Sequence, residues 1–208
     1  MKLSTLFSEH AVLQRGISVP VWGRTKPRSR VRVTVGPVAG ESISDGEGKF
    51  LVRLPPQPAG GPYTLTAETS DRSEHVVVQD VCVGEVWVCS GQSNMQWTFR
   101  DNGQLPPRTD IPGLRMLTVP NEALAVRQDH ITADWKVASA ATVSNFSAVA
   151  FHLGERLHRV LGVPVGLIAT AWGGTRVEAW TSRNELMQNP DTAMEVERHE
   201  SSTHATEF

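Results

Sequence analysis

Cysteine, long apolar runs and charge of one sign are all scarce in this 208-residue chain, and each scarcity narrows what it can be. The two cysteines, Cys82 and Cys89, flank a stretch with the pattern of a strand, which at ~3.3 Å per residue holds them roughly 23 Å apart. A disulfide needs Cα atoms within about 7 Å, so two separate buried thiols are expected. So sparse a pair matches no metal-ligand pattern, and no metal is expected. No apolar run approaches the ~20 residues of a membrane-spanning helix, so no membrane partner is expected. Net charge is -2 with scattered Lys and Arg, which argues against a broad basic surface and against nucleic acid as a partner. The opening Met1-Lys2-Leu3-Ser4-Thr5-Leu6-Phe7 holds too short an apolar stretch for a secretory signal, which leaves a cytoplasmic protein or one whose leader has been lost. Internal repeats are absent.

What is present divides in two near residue 80. Residues 1–80 carry short apolar runs, among them Val19–Gly23, Arg30–Val35, Lys49–Leu54, Tyr63–Ala67 and His75–Val78. Turn formers separate them, such as Asp45-Gly46-Glu47-Gly48 and the Pro- and Gly-rich stretch from Pro55 to Pro62,. Regular short strands with such turns predict a small all-β sandwich of Ig-like type. It holds no convergent titratable set and reads as a packing or substrate-edge module.

From Val81 the pattern changes. Val81–Cys89 is almost continuously apolar, as expected of a strand covered on both faces in a parallel sheet. A helix is predicted over Ser147–Leu161, with Val149, Leu153, Leu157, Val160 and Leu161 on one face and Gly162 as its stop,. A second buried strand follows over Val163–Thr170. Strand, helix and strand predict an α/β domain over 81–186. Residues 187–208 are polar and predict a tail or a frayed helix.

Both predicted α/β strands end in glycine-bearing turns, Gly91-Gln92-Ser93-Asn94 and Trp172-Gly173-Gly174-Thr175. Open α/β sheets bind ligands at the carboxyl ends of their strands. A serine there becomes a nucleophile if a base takes its proton, and the oxyanion formed needs preorganised donors such as backbone N–H groups. A Gly-x-Ser turn alone is weak evidence, because most such serines only satisfy turn hydrogen bonds.

The longer string is specific. Gly84-Glu85-Val86-Trp87-Val88-Cys89-Ser90-Gly91-Gln92-Ser93-Asn94-Met95 resembles the nucleophile block of the sialate O-acetylesterases, within the SGNH hydrolase superfamily. Val163–Ile168 with Trp172-Gly173-Gly174-Thr175-Arg176-Val177-Glu178-Ala179-Trp180 is similar to the family's second block. Leu6–Arg15 with Val19–Gly23, and Ala59–Tyr63, look like its N-terminal β domain. The resemblance runs from about residue 6 to about residue 183. It implies an incomplete SGNH-type parallel sheet preceded by the β module, with Ser93 as nucleophile. The oxyanion hole would use the N–H of Ser93 and of Gly173 or Gly174. Asn94, Gln96, Trp97, Arg176 and Glu178 would line or brace the pocket, although a local ion pair explains Arg176 and Glu178 equally well. Trp22 and Trp87 read as packing residues. The implied partner is an O-acetylated sugar: sialic acid by closest resemblance, acetylated plant polysaccharide as runner-up. Full-length members would work in periplasmic, secreted or lysosomal settings.

The family's Gln-Gly-Glu-type loop and its Asp-x-x-His block do not appear. None of His10, His75, His130, His152, His158, His199 and His204 has an aspartate three residues before it. Losing a triad member typically leaves only ~10³–10⁴-fold of residual catalysis over water. Three readings follow: half of an esterase that is weak or inactive alone, a non-catalytic or carbohydrate-binding fragment, or a chain completed by a second one supplying His and Asp. A half-built sheet would also expose an open edge and apolar surface, which predicts self-association.

Overall fold

The computed structural model describes residues 1–104, 106, 108–124 and 128–204. It is a mixed α/β fold with a large mixed sheet and a few helices, and it divides into two compact units, Met1–Trp172 and Gly173–Phe208.

Within the first unit a three-stranded antiparallel sheet joins β1 (Lys2–Leu3), β3 (Val19–Arg24) and β6 (Lys49–Leu54). The large sheet begins at β5 (Val38–Ile43) and passes through β4 (Arg30–Val35) and β7 (Gly60–Thr69) to β8 (His75–Gly91). Alternate valines of β4 (Val31, Val33, Val35) are buried while Arg30 and Arg32 stay exposed, the period of a strand wet on one face. Beyond β8 the order continues through β11 (Val165–Ala171), β9 (Ile111–Thr118) and β10 (Lys136–Ala138). β2 (Val12–Gln14) adds a short parallel pairing to β8 at Cys82–Gly84.

β8 is 17 residues long and serves two kinds of sheet. Its first half pairs antiparallel with β7, and Glu85–Gly91 pairs parallel with Val165–Ala171 of β11. The boundary set near residue 80 on sequence therefore lies inside a single strand. Val81–Gly84 and Cys89 are buried, but Trp87 is 43% and Val88 66% exposed. The expectation of a strand covered on both faces is thus corrected at those two residues, and Trp87 is not a packing residue among the described ones. Beyond Val86, whose N–H is taken by the Gln14 side chain at 2.8 Å, β11 is the one strand neighbour of β8 among the described residues.

The predicted helix is α4 (Ala148–Leu161), capped by Ser147, whose hydroxyl accepts from Ala150 N at 3.1 Å, and closed by Gly162 in the left-handed region. Its buried face is not the predicted one. Ala150, Phe151 and Gly154 are buried and Leu157 is half-buried, whereas Val149, Leu153, Val160 and Leu161 are exposed. The small residues decide this. A Cβ on Gly154 would stand 2.5 Å from Leu167 and 2.9 Å from Leu114, so the helix lies close on β11 and β9 only where it has no side chain. Counting large apolar residues missed that face by one position, about 100° of helical rotation.

Both cysteines are free and buried, and burial pushes both thiols above the ordinary thiol range. In the second unit a 3₁₀ turn (Val177–Trp180) leads to α5 (Arg183–Leu186) and α6 (Pro190–His204). The predicted tail is therefore helical as far as His204. Arg183 holds it with two hydrogen bonds to the Glu200 carboxylate, at 2.7 and 3.1 Å, and that carboxylate raises the Arg183 pKa.

Candidate functional site

Ser93 opens a single-turn helix, α1 (Ser93–Gln96), directly after the carboxyl end of β8. The chain reverses there through Gly91, whose φ of 149° is closed to other residues, and a Cβ on it would touch Met95 at 3.3 Å,. Hydrogen bonds from Met95 N and Gln96 N to the Gln92 carbonyl, both 3.0 Å, and from Trp97 N to the Ser93 carbonyl, 2.9 Å, tie the turn. Its outer support comes from α4. The buried hydroxyl of Ser147 donates to the Met95 carbonyl at 2.6 Å, and Ala148 N donates to the Trp97 carbonyl at 3.0 Å. A capping box then starts α2 (Phe99–Asn102) at Thr98, and its bonds to Asp101 hold that carboxyl below the usual aspartate range. In the sequence Ser147 read only as the first residue of the predicted helix, and nothing there marked it as a cap or a brace.

Ser93 and Asn94 are exposed, Gln96 is half-buried, and Trp97 is 52% exposed. These four predicted site residues share one turn. Among the described residues the Ser93 hydroxyl has no hydrogen-bond partner. The adjacent strand end is joined to this turn by two bonds: Trp172 N donates to the Gly91 carbonyl at 3.1 Å, and the Ser90 hydroxyl donates to the Thr170 carbonyl at 3.1 Å. Gly173, Gly174, Arg176 and Glu178 belong to the second unit. There Gly174 is exposed with φ 79°, Gly173 and Glu178 are half-buried, and Arg176 is exposed. Among the described residues Arg176 and Glu178 form no ion pair, and the Trp180 indole N–H donates to the Thr175 hydroxyl at 2.8 Å.

The described histidines are engaged elsewhere or lie on other elements. His158 bonds the Val163 carbonyl through Nδ1 at 2.7 Å, and His152 packs edge-on against Phe99. His75 begins β8, His130 follows Asp129 in a loop, and His199 lies on α6; the side chain of His204 is outside the described residues. One His–carboxylate pair does form. His10 Nδ1 sits 2.5 Å from the Asp80 carboxylate, which also takes two hydrogen bonds from the buried guanidinium of Arg115, at 2.6 and 3.1 Å. Arg115, then His10, hold the Asp80 carboxyl below its ordinary range against its partial burial. At ~3.3 Å per residue, the run of β8 from Asp80 to Gly91 spans up to roughly 36 Å, so this pair sits far along the strand from the Ser93 turn,. It is not the base of a Ser93 triad. Its members come from three separate parts of the chain, and no sequence motif announces it.

Residues 83–203 match the family described as carbohydrate esterase, sialic acid-specific acetylesterase. The chain belongs to that family. It is 32% identical to the human sialate O-acetylesterase over 188 residues and 30% identical to the mouse sialate O-acetylesterase over 208 residues. Those matches cover 80% and 89% of this chain, and 36% and 38% of the relatives' own length. The fold matches the crystal structure of a carbohydrate acetylesterase from Xanthomonas citri with a TM-score of 0.81 and 32% identity, over 90% of this chain and 44% of that one. The chain thus spans less than half the length of each of these family members.

Proposed function

We propose that this chain is the nucleophile-bearing portion of a serine carbohydrate O-acetylesterase. The reading rests on one observation above the others: Ser93 is solvent-exposed on a tied turn at the carboxyl end of a parallel strand, where open α/β sheets place ligands. The Ser93 oxygen attacks the acetyl carbonyl while its proton passes to a base. The tetrahedral intermediate expels the sugar alcohol, which takes the proton, and water then releases acetate from the acetyl-serine. Backbone N–H groups of Ser93 and of Gly173 or Gly174 are the proposed oxyanion donors. Asn94, Gln96, Trp97, Arg176 and Glu178 are the proposed substrate contacts. An acetylated sialic acid is the preferred substrate class and acetylated plant polysaccharide the alternative. The first 80 residues are read as an Ig-like module and 81–186 as part of an SGNH-type domain.

The base, with its orienting carboxylate, is proposed to come from outside these residues, from the remainder of a longer protein or from a second chain. A serine hydroxyl without one is a poor nucleophile. A fluorophosphonate probe and an acetyl-ester assay test the reading. Labelling and turnover, whether from this chain or from the chain joined to a His- and Asp-bearing segment, must disappear in Ser93→Ala. If Ser93 stays inert in both settings, the chain is a non-catalytic family member.

A further inference from the structure

The outer face of the three-stranded sheet carries a cleft of about 720 Å³, a size typical of small-ligand sites, made of elements that do not include the Ser93 turn. Its floor is apolar: Trp22 and Leu51 stand directly opposite each other across β3 and β6, with Pro20 beside them. The indole is fixed on two sides. Its N–H donates to the Asp129 carbonyl at 3.0 Å, and Phe7 packs against it edge-on at 4.7 Å.

Around this floor the register produces an unfavourable arrangement. Lys2 lies opposite Arg24, and Arg24 lies opposite Lys49, so three cations form one cross-strand row. Arg53 stands opposite Pro20 at the other end of the floor. Like charges directly opposite one another in a sheet are destabilising. Lys49 is partly offset by Glu47 at 3.2 Å and Asp129 at 4.0 Å, but Lys2, Arg24 and Arg53 have no ion-pair partner among the described residues. The cleft lining holds four cations against Asp45 and Asp129, in a chain whose net charge is -2. A bound anion relieves that row.

One carboxylate oxygen of Asp45 accepts from the N–H groups of Glu47 and Lys49, at 2.8 Å each, while its other oxygen has no hydrogen-bond partner among the described residues; with Asp129 in the wall, that oxygen narrows the choice of anion. A site for a bare polyanion has no use for carboxylates, whereas a sugar presents hydroxyl donors to them and a C–H face to an indole. We infer that the Trp22 cleft is a binding site for a carboxylate-bearing saccharide, separate from the Ser93 turn and independent of whether Ser93 reacts. The sugar ring lies on Trp22 and Leu51, its carboxylate faces Arg24 and Lys2 or Arg53, and its hydroxyls face Asp129 and the unoccupied oxygen of Asp45.

Isothermal titration of the 208-residue chain with sialyllactose, trigalacturonate, lactose and inorganic triphosphate tests this. At least one of the two acidic sugars should bind with one-to-one stoichiometry, weaken as salt is raised, and bind at least tenfold better than lactose. Arg24→Ala combined with Arg53→Ala should raise its dissociation constant at least tenfold, and Trp22→Phe, which keeps the contact with Phe7, several-fold. Trp97→Ala, which truncates an exposed side chain at the Ser93 turn, should leave it unchanged. The inference is overturned if neither acidic sugar binds, if lactose binds equally well, or if triphosphate binds more tightly than the sugars. It is equally overturned if the double variant binds as the parent does, or if Trp97→Ala, which removes a proposed contact of the Ser93 site, weakens binding as much as the double variant and so locates the ligand there.

Discussion

The two ends of strand β8 hold chemically capable side chains in opposite circumstances. At the amino half, Asp80 accepts from both ends of the Arg115 guanidinium and from His10, and its neighbourhood is flanked by β7 and β2. At the carboxyl end, Ser93 is exposed and has no hydrogen-bond partner among the described residues. A His–carboxylate pair is half of a triad by composition, yet here both carboxylate oxygens already face a buried cation. Residue type did not decide which end could be a reaction site; the direction of the strand and the occupancy of each polar atom did.

The largest effect that would sharpen this contrast is on stability. Arg115 is 6% exposed, and Arg115→Met strands the Asp80 carboxylate beside His10. Breaking such a pair should cost about 3 kcal/mol, read as a lowered urea midpoint at unchanged slope. Ser93→Ala, at the exposed end, should move the midpoint by no more than about 0.5 kcal/mol. The pH dependence has a defined sign. The Asp80 carboxyl is lowered in the folded state, so its contribution is complete above the unfolded aspartate value of about 3.9 and is lost as pH falls through the lower folded value. Asp80→Asn should therefore flatten the stability profile below about pH 4. An unaltered acid limb in that variant would show that Asp80 is not the group being protonated.

A smaller effect concerns how the reactive end is held. Ser147 both caps α4 and bonds the Met95 carbonyl. Ser147→Ala should cost about 1–2 kcal/mol, the sum of a lost cap and an unsatisfied buried carbonyl. If Ser147 positions the turn, fluorophosphonate labelling of Ser93 should slow as well, under conditions where both proteins are fully folded. Ser147→Thr, which keeps the hydroxyl, should restore the rate. Equal labelling rates in all three would make Ser147 a stabilising residue with no bearing on Ser93.

Much of this was legible in the sequence. Strands β3, β4 and β6, the strands ending at Gly91 and Ala171, and the helix closed by Gly162 all announce themselves by period and by turn residues. β9, with Pro112 and Gly113 near its start, lacks a clean strand pattern, and β5 is short of large apolar residues. The Ser93 turn was legible because its residues are contiguous. The Asp80 cluster was not, because Arg115 lies 35 and His10 70 residues from Asp80. The cation row of the Trp22 cleft was equally hidden, since it exists only once β1, β3 and β6 are in register. Local chemistry survives in sequence, and chemistry assembled by pairing does not.

The misassigned face of α4 leads to the smallest effect on stability and a separate one on association. Val149, Leu153, Val160 and Leu161 form an exposed apolar stripe, and Trp87 lies on the sheet face that α4 covers, since its neighbours in register, Leu167 and then Cys89–Ala169, are in the core beneath the helix. Exposed side chains contribute little to folding, so Leu153→Glu with Val160→Glu should change the unfolding free energy by less than about 1 kcal/mol. An exposed apolar stripe of this kind favours self-association. Sedimentation of the parent should then show mass rising with concentration, and the double variant should shift toward monomer. A charge placed on the observed core face instead, as in Ala150→Glu, should unfold the protein, because Ala150 is fully buried. If Leu153→Glu with Val160→Glu proved as damaging as Ala150→Glu, the stripe would be core after all, and the face argued from Gly154 would be wrong.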